Sequence, residues 1–254
     1  FGGIAKAVLE KLATELGHEP DLAGVLVRES STYRTALPLV SSLDELFDDP
    51  PAVVVECAGH NAVHEYGEQV LRRGTDLIVV STGALADSAL LDRLRQAARA
   101  GASKLIIPPG ALGAVDALGA AKLSGLIEVN YRGRKPPSTW KGTPAEDAAD
   151  LDTLTEPQTV FRGAARQAAL QYPKNSNVAA TIALAGLGFD RTSVELVADP
   201  TISSNIHEIE VRAESGDFEI CLKGQPSAAN ASTSILTAYS VVRALLAYER
   251  EIVI

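Results

Sequence analysis

The run Asp76-Leu-Ile-Val-Val80, closed by the small residues Ser81-Thr-Gly-Ala84, decides the fold class of this chain. It is short, apolar and without alternation, so it reads as a strand. Asn61 to Arg73 reads as a helix before it, Leu90 to Ala100 as an amphipathic helix after it, and Lys104-Leu-Ile-Ile107 as the next strand. Upstream, Ala52-Val-Val-Val-Glu-Cys-Ala58 follows a Pro50-Pro51 break and has the apolar character of a buried parallel strand. Strands and helices alternating at this spacing predict an α/β fold with a doubly wound parallel sheet. Ligands bind such sheets beyond the carboxyl ends of the strands, where Cys57-Ala58-Gly59 and Ser81 to Ala84 fall.

Composition bounds the rest. At 254 residues the chain suits one large or two modest domains, and 46% apolar with 22% charged residues is ordinary for a globular protein. A net charge of −9 and a pI near 5.0, with no Lys/Arg block, argue against a nucleic-acid surface. No run reaches the ~20 apolar residues that span a bilayer, and no signal-peptide pattern is present, so no membrane partner is expected. Cys57 and Cys221 form neither a disulfide framework nor a metal spacing, and a reducing cytoplasm is the expectation. The chain opens at Phe1 and holds no methionine; an unusual composition, or a sequence lacking its natural start and its modified methionines, both stay open.

Gly2-Gly3-Ile4-Ala5 leads into a helical pattern carried by Ile4, Val8, Leu12 and Leu16. A glycine ahead of Phe1 would complete G-x-G-x-x-A, the dinucleotide fingerprint, in which a pyrophosphate rests on the helix N-terminus. Gly2, Gly3 and Ile4 are therefore candidate cofactor contacts, with Ala58 as a further one at a strand end. Ala23 to Val27 reads as the next strand. At its end, where an NAD site usually carries an acid, stand Val27 and Arg28. Arg28 suits the 2′-phosphate of NADP or is a solvated strand-end arginine; Glu29 serves the ribose if the register slips by two. NADP, or use of both nucleotides, is the expectation.

In the second half, Val115 to Ala121 reads as a helix and Leu126 to Tyr131 as a strand. A basic, proline-broken stretch, Arg132 to Trp140, and a polar segment, 141–160, expected on the surface, come next. Phe161 to Tyr172 reads as a helix stopped by Pro173. Val178 to Leu187 reads as a buried helix that Asn175 or Asn177 can cap. Val194 to Ala198 is a strand broken at Asp199-Pro200. The strand after it puts His207 on one face with Ile209 and Val211. His207 is either a core histidine bonded to a neighbour or a group poised for proton exchange. Asp199 either accepts a ring N–H from it or is a turn residue. Phe218 to Leu222 is a strand, and Thr233 to Tyr248 a closing helix with Leu236, Val242 and Leu245 inward, Thr233 and Ser234 serving as caps. His60 and His64 have the i, i+4 spacing of a metal pair but no third ligand, so no metal is expected. The domains are expected at 1–108, binding a dinucleotide, and 109–232, catalytic, with 233–254 packing back on the first.

Together these motifs resemble one family, the L-aspartate dehydrogenases. The resemblance rests on Gly2-Gly3-Ile4-Ala5, Ser81-Thr-Gly-Ala84-Leu, Pro109-Gly-Ala-Leu-Gly113, Gly133-Arg-Lys-Pro-Pro137 with Trp140, Pro173 to Thr181, Leu184-Ala-Gly-Leu-Gly188, Ala198-Asp-Pro200 and Asn205-Ile-His207-Glu-Ile209, in order over nearly the whole chain. It implies a Rossmann-type domain plus an α+β catalytic domain, NAD or NADP as cofactor, Ala111 and Asn177 as cofactor contacts and His207 as the catalytic residue. The implied reaction oxidises L-aspartate to iminosuccinate, which hydrolyses to oxaloacetate and ammonia or feeds NAD biosynthesis; the reverse aminates oxaloacetate. Two departures stand out: the first strand and first fingerprint glycine are absent, and the acid after the second strand looks replaced around Val27-Arg28. A substrate with two carboxylates needs cations or N–H donors, for which Lys135, Asn175 and Asn205 are candidates, with Arg134 and Lys174 behind them. A homodimer is expected. A reductase of another small dicarboxylate or aldehyde, and a non-catalytic dinucleotide sensor, stay open beside this reading.

Overall fold

A computed structural model describes residues 2–28, 36–227 and 230–252, and the chain divides into two compact units. The first takes Phe1–Ser81, Asp87–Pro108 and Ala238–Ile254; the second takes Thr82–Ala86 and Pro109–Thr237.

In the first unit, α1 (Gly3–Leu16) is followed by β1 (Val25–Leu26), β2 (Leu39–Val40), α2 (Leu43–Leu46), β3 (Val53–Glu56), α3 (His60–Arg72), β4 (Asp76–Val79), α4 (Ser88–Gly101) and β5 (Leu105–Ile106). β1 pairs with β2, and β3-β4-β5 form a second sheet; every pairing is parallel, as the strand-helix alternation predicts. The helices form where their ends are satisfied. The Asp87 carboxylate accepts from the amides of Ala89 and Leu90 at 2.9 and 3.2 Å and so starts α4. α3 and α4 bury Val63, Val70, Leu71, Leu90 and Leu94, each worth roughly 1.5–3 kcal/mol of burial.

In the second unit, α5 (Val115–Ser124), β6 (Leu126–Lys135), α6 (Ala145–Ala148), β7 (Gln158–Ala164), α7 (Ala165–Gln171), α8 (Asn177–Ala185), β8 (Ser193–Ala198), β9 (Ile206–Ala213), β10 (Phe218–Lys223), β11 (Pro226–Ser227) and β12 (Asn230–Ser234) follow in order. Five strands make a mixed sheet in the order β10-β9-β6-β8-β7, with only β6 and β8 parallel. Alternation along β6 and β9 sends Val129, Tyr131, Gly133, Lys135, His207, Ile209 and Val211 to the buried face. Arg132, Glu210 and Arg212 are exposed on the other, where Arg132 and Arg162 pair with Glu195.

α9 (Ile235–Leu246) closes the chain, and from Ala238 onward it belongs to the first unit. Ala238, Val241, Val242 and Leu246 share a buried cluster with Val8, Leu12, Ile78 and Val80.

Several expectations are corrected here. Phe161 to Tyr172 is not one helix: β7 runs to Ala164, antiparallel to β8, and α7 starts at Ala165. The closing helix begins at Ile235 because β12 occupies the residues up to Ser234. Val242 points inward and Leu245, half-buried, packs against the same cluster as expected; Leu236 is half-buried, and Val241 and Leu246 take further core positions. Segment 141–160 is not all surface, since Ala145, Ala149, Leu151 and Val160 are buried.

Candidate active site

β6 and β9 build the site. Gly133 pairs with His207 and Tyr131 with Ile209, so Tyr131, Gly133, Lys135 and His207 lie on one face. Gly133 is required by a close approach. A Cβ there would sit 2.5 Å from the Tyr131 hydroxyl oxygen, so its absence lets the Tyr131 ring lean along the strand toward the histidine. Tyr131 Oη and His207 Nδ1 are 2.8 Å apart, and the two rings lie 22° from parallel. His207 is 1% exposed, and among the described residues its Nε2 has no hydrogen-bond partner. Burial, then the positive charge of Lys135, push its pKa down to about 3, so the imidazole is neutral across the physiological range.

Lys135 is buried too. Its Nζ donates to Asn175 Oδ1 at 3.0 Å and to the Asn175 carbonyl at 3.3 Å, and lies 5.5 Å from the centre of the Trp140 ring. Burial pushes its pKa down to about 8. Among the described residues no carboxylate pairs with it. A cation buried against neutral partners is costly, and an anionic ligand would offset that cost.

The asparagines do not cap α8. Ser176 holds the N-cap position and its hydroxyl donates to the Ala168 carbonyl, while Asn175 faces Lys135. Asn177 opens the helix; its Oδ1 accepts from the Gly83 amide at 3.0 Å and its carbonyl from the Thr82 hydroxyl at 2.8 Å. These contacts tie α8 to the turn Thr82–Ala86. Asn205 is buried two residues ahead of His207, its carbonyl accepting from the Gly224 amide. Ala111 is buried in the turn after β5.

Asp199 does not orient His207. It accepts from Arg134 at 2.9 and 2.6 Å and from the amide and hydroxyl of Thr201. Burial works to raise its pKa, but the Thr201 and Arg134 bonds hold it below the usual range. Arg134 alternates to the face opposite Lys135 and is engaged there; Lys174 is exposed. Tyr131, not Asp199, is the partner of the ring.

In the first unit, Gly2 is the N-cap of α1, and a glycine there brings no side chain to cap the first-turn amides of Gly3 and Ile4. Space around Gly2 is open, which fits a phosphate on these N–H groups. Arg28 is exposed at the end of β1; Glu29 lies outside the described residues. Ala58 is exposed beyond β3. Its amide and that of Gly59 donate to Glu56 Oε1, at 2.7 Å each, and the Ser81 amide donates to Oε2 at 3.0 Å. Glu56, buried, thus pins the ends of β3 and β4 together. His60 and His64 sit in the first turns of α3, and among the described residues no three His, Cys, Asp or Glu gather as metal donors. Ser234 accepts from the Leu236 amide and so caps α9; the side chain of Thr233 is outside the described residues.

Tyr131 and Glu56 are functional candidates that sequence reasoning missed. For Glu56 the signal is a lone acid ending an apolar strand at small residues. For Tyr131 it is the Tyr-x-Gly spacing on a strand, but its partner depends on register between β6 and β9.

Residues 1–108 match the NAD binding domain family of homoserine dehydrogenase. With the parallel sheets and the buried histidine and lysine, that match defines an NAD(P)-dependent dehydrogenase. Residues 116–248 match the C-terminal domain family of aspartate dehydrogenase. The L-aspartate dehydrogenases of Cupriavidus taiwanensis and Pseudomonas aeruginosa are 47% and 46% identical over 252 residues, covering 96% of this chain and 93% of each relative. The chain belongs to the L-aspartate dehydrogenase family. The crystal structure of aspartate dehydrogenase from Thermotoga maritima is 29% identical, with a TM-score of 0.76 over 97% of this chain and 94% of that one.

Proposed function

We propose that the chain oxidises L-aspartate with NAD or NADP, giving iminosuccinate, the reduced nucleotide and a proton. Water then converts the imine to oxaloacetate and ammonia. The observation that carries this is Lys135, a buried cation with no acidic partner among the described residues, beside a neutral His207 whose Nε2 has no partner among them either. Lys135 receives a substrate carboxylate, and Asn175 holds its Nζ in place through two bonds. Asn205 is a further substrate contact. His207 is the catalytic residue at the substrate nitrogen or oxygen. The amides of Gly2, Gly3 and Ile4 hold a pyrophosphate, Arg28 a ribose or its 2′-phosphate, and Ala58, Ala111 and Asn177 are the remaining cofactor contacts. When bound, the nucleotide would supply the hydride acceptor for Cα. Residues 1–108 with the closing helix bind the nucleotide, and 109–232 carry the substrate groups. A cytoplasmic homodimer serving NAD biosynthesis is the setting this reading implies, and sedimentation reads the assembly.

Absorbance of the reduced nicotinamide tests it, with L-aspartate and each nucleotide at alkaline pH, where the free amine is populated. D-aspartate, L-glutamate and L-malate serve as controls. Growth with L-aspartate alone is expected; His207→Asn should lose turnover by at least about 100-fold yet still bind nucleotide by titration. Silence with all four substrates, nucleotide binding intact, sinks the reading.

A further inference from the structure

The family assignment makes His207 the candidate catalytic group but leaves open which ring nitrogen carries the proton. We propose that Tyr131 is a positioning residue that holds His207 as the Nε2–H tautomer, so that the neutral ring presents a hydrogen-bond donor to the substrate. This rests on the proposed oxidation of L-aspartate and deepens it.

Proton counting carries the inference. Tyr131 and His207 are 2% and 1% exposed, so neither can turn to water. Among the described residues, His207 Nδ1, at 2.8 Å, is the one hydrogen-bond partner of the hydroxyl. If Tyr131 donates, Nδ1 is the acceptor, the ring proton resides on Nε2, and a single group, Nε2–H, is left unpaired. If Nδ1–H donates instead, the buried tyrosine proton has no acceptor and the Nε2 lone pair is unpaired as well. Two orphaned groups are worse than one. Burial raises the pKa of Tyr131, which keeps its proton available for the bond. Gly133 supports the arrangement, since any side chain there would push the hydroxyl off the ring.

The charged groups around the ring agree. Lys135, on the same face of β6, disfavours a second proton on the imidazole. Arg134 and Glu208 lie on the opposite face of the sheet, engaged with Asp199 and with each other. A neutral imidazole that donates from Nε2 suits the oxygen of a 2-oxo acid, as neutral histidines do when they polarise a carbonyl elsewhere. In the amination direction His207 then draws charge from the C–O bond of oxaloacetate. In deamination the amine arrives neutral at alkaline pH, and the same Nε2–H donor serves the oxygen that water adds to the imine, the reverse of its role in amination.

The test is a long-range proton–nitrogen correlation spectrum of the full chain, labelled with nitrogen-15 in histidine and recorded near pH 8 without substrate or nucleotide. The His207 signals are those that vanish in His207→Asn. A protonated Nε2 with an acceptor Nδ1 is expected; a protonated Nδ1 overturns the proposal. Tyr131→Phe, its fold checked by far-ultraviolet circular dichroism, should show both tautomers and lower kcat for oxaloacetate amination about 10- to 100-fold, as loss of a group that orients a site histidine does. Its nucleotide affinity should not change. A single unshifted tautomer in Tyr131→Phe, with wild-type kcat, also overturns the proposal. Absence of aspartate turnover in the wild type is a separate failure, that of the proposed function, because the spectrum is read without turnover.

Discussion

Lys135 is the residue whose energetics and proposed role pull in opposite directions. Its ordinary pKa of 10.5 falls to about 8 on burial, with Asn175 oxygens as its acceptors among the described residues. Between those two pH values the unfolded chain binds more protons than the folded one, so folding stability rises with pH through that window. Below about pH 8 both states carry the proton, and the folded state bears the full burden of a buried charge, about 3 kcal/mol on this gap. Lys135→Met keeps the length and removes the charge. It should raise stability at pH 7 by up to about 3 kcal/mol and flatten the rise above pH 8, read by urea unfolding across pH. Its kcat/KM for L-aspartate should fall by about 100-fold or more, the worth of a charged hydrogen bond. A variant that is less stable at pH 7 and still turns over aspartate would overturn both halves. The face of His207 was legible in the sequence from two-residue alternation alone. Its partner was not: Asp199 and Tyr131 lie 8 and 76 positions away, and only the pairing of Gly133 with His207 brings the tyrosine to the ring.

At the scale of elements, legibility followed the regularity of the pattern. α3 and α4 have capped or glycine-bounded ends and a single apolar stripe, and their observed limits fall within two residues of those expected. Phe161 to Tyr172 reads as one helix because the alanine-rich α7 follows the end of β7 directly, with no break in the sequence between them. The contact between α3 and α4 also sets a hard limit on sequence. Gly101, the last residue of α4, lies so close to the Leu71 carbonyl that a Cβ would overlap that oxygen and approach its carbon to 3.0 Å. The obstacle is backbone, fixed further by hydrogen bonds from Ser103 Oγ at 2.8 Å and the Gly74 amide at 3.1 Å. Gly101→Ala must therefore separate the helix ends, at a cost of about 3 kcal/mol, the upper end for overpacking. Thermal unfolding should report that loss, while activity per folded molecule at low temperature should stay within about twofold, because no proposed site group is touched. Unchanged thermal stability would show that the two helices do not approach as described.

For the whole molecule, the consequential feature is that the first unit is completed by the end of the chain. Residues 233–254 are expected to pack back on the first domain, and Ala238, Val241, Val242 and Leu246 join Val8 and Leu12 of α1 in one buried cluster. The same α1 opens with the amides proposed to hold the nucleotide, so the integrity of that site depends on residues more than two hundred positions away. Leu246→Ala removes a side chain that is 6% exposed and should cost about 2–3 kcal/mol, the low end for such truncations because the last turn of α9 can relax. The chain supplies its own reporter for the other unit: its single tryptophan, Trp140, is fully buried in the second unit. In urea, Leu246→Ala should lose nucleotide binding at a lower concentration than the wild type, with the Trp140 fluorescence transition displaced much less. That outcome makes α9 a local keystone of the nucleotide unit. Equal displacement of the two transitions would instead mean that the chain unfolds as one cooperative body, in which a truncation in α9 is felt by the substrate groups as strongly as by the amides of α1.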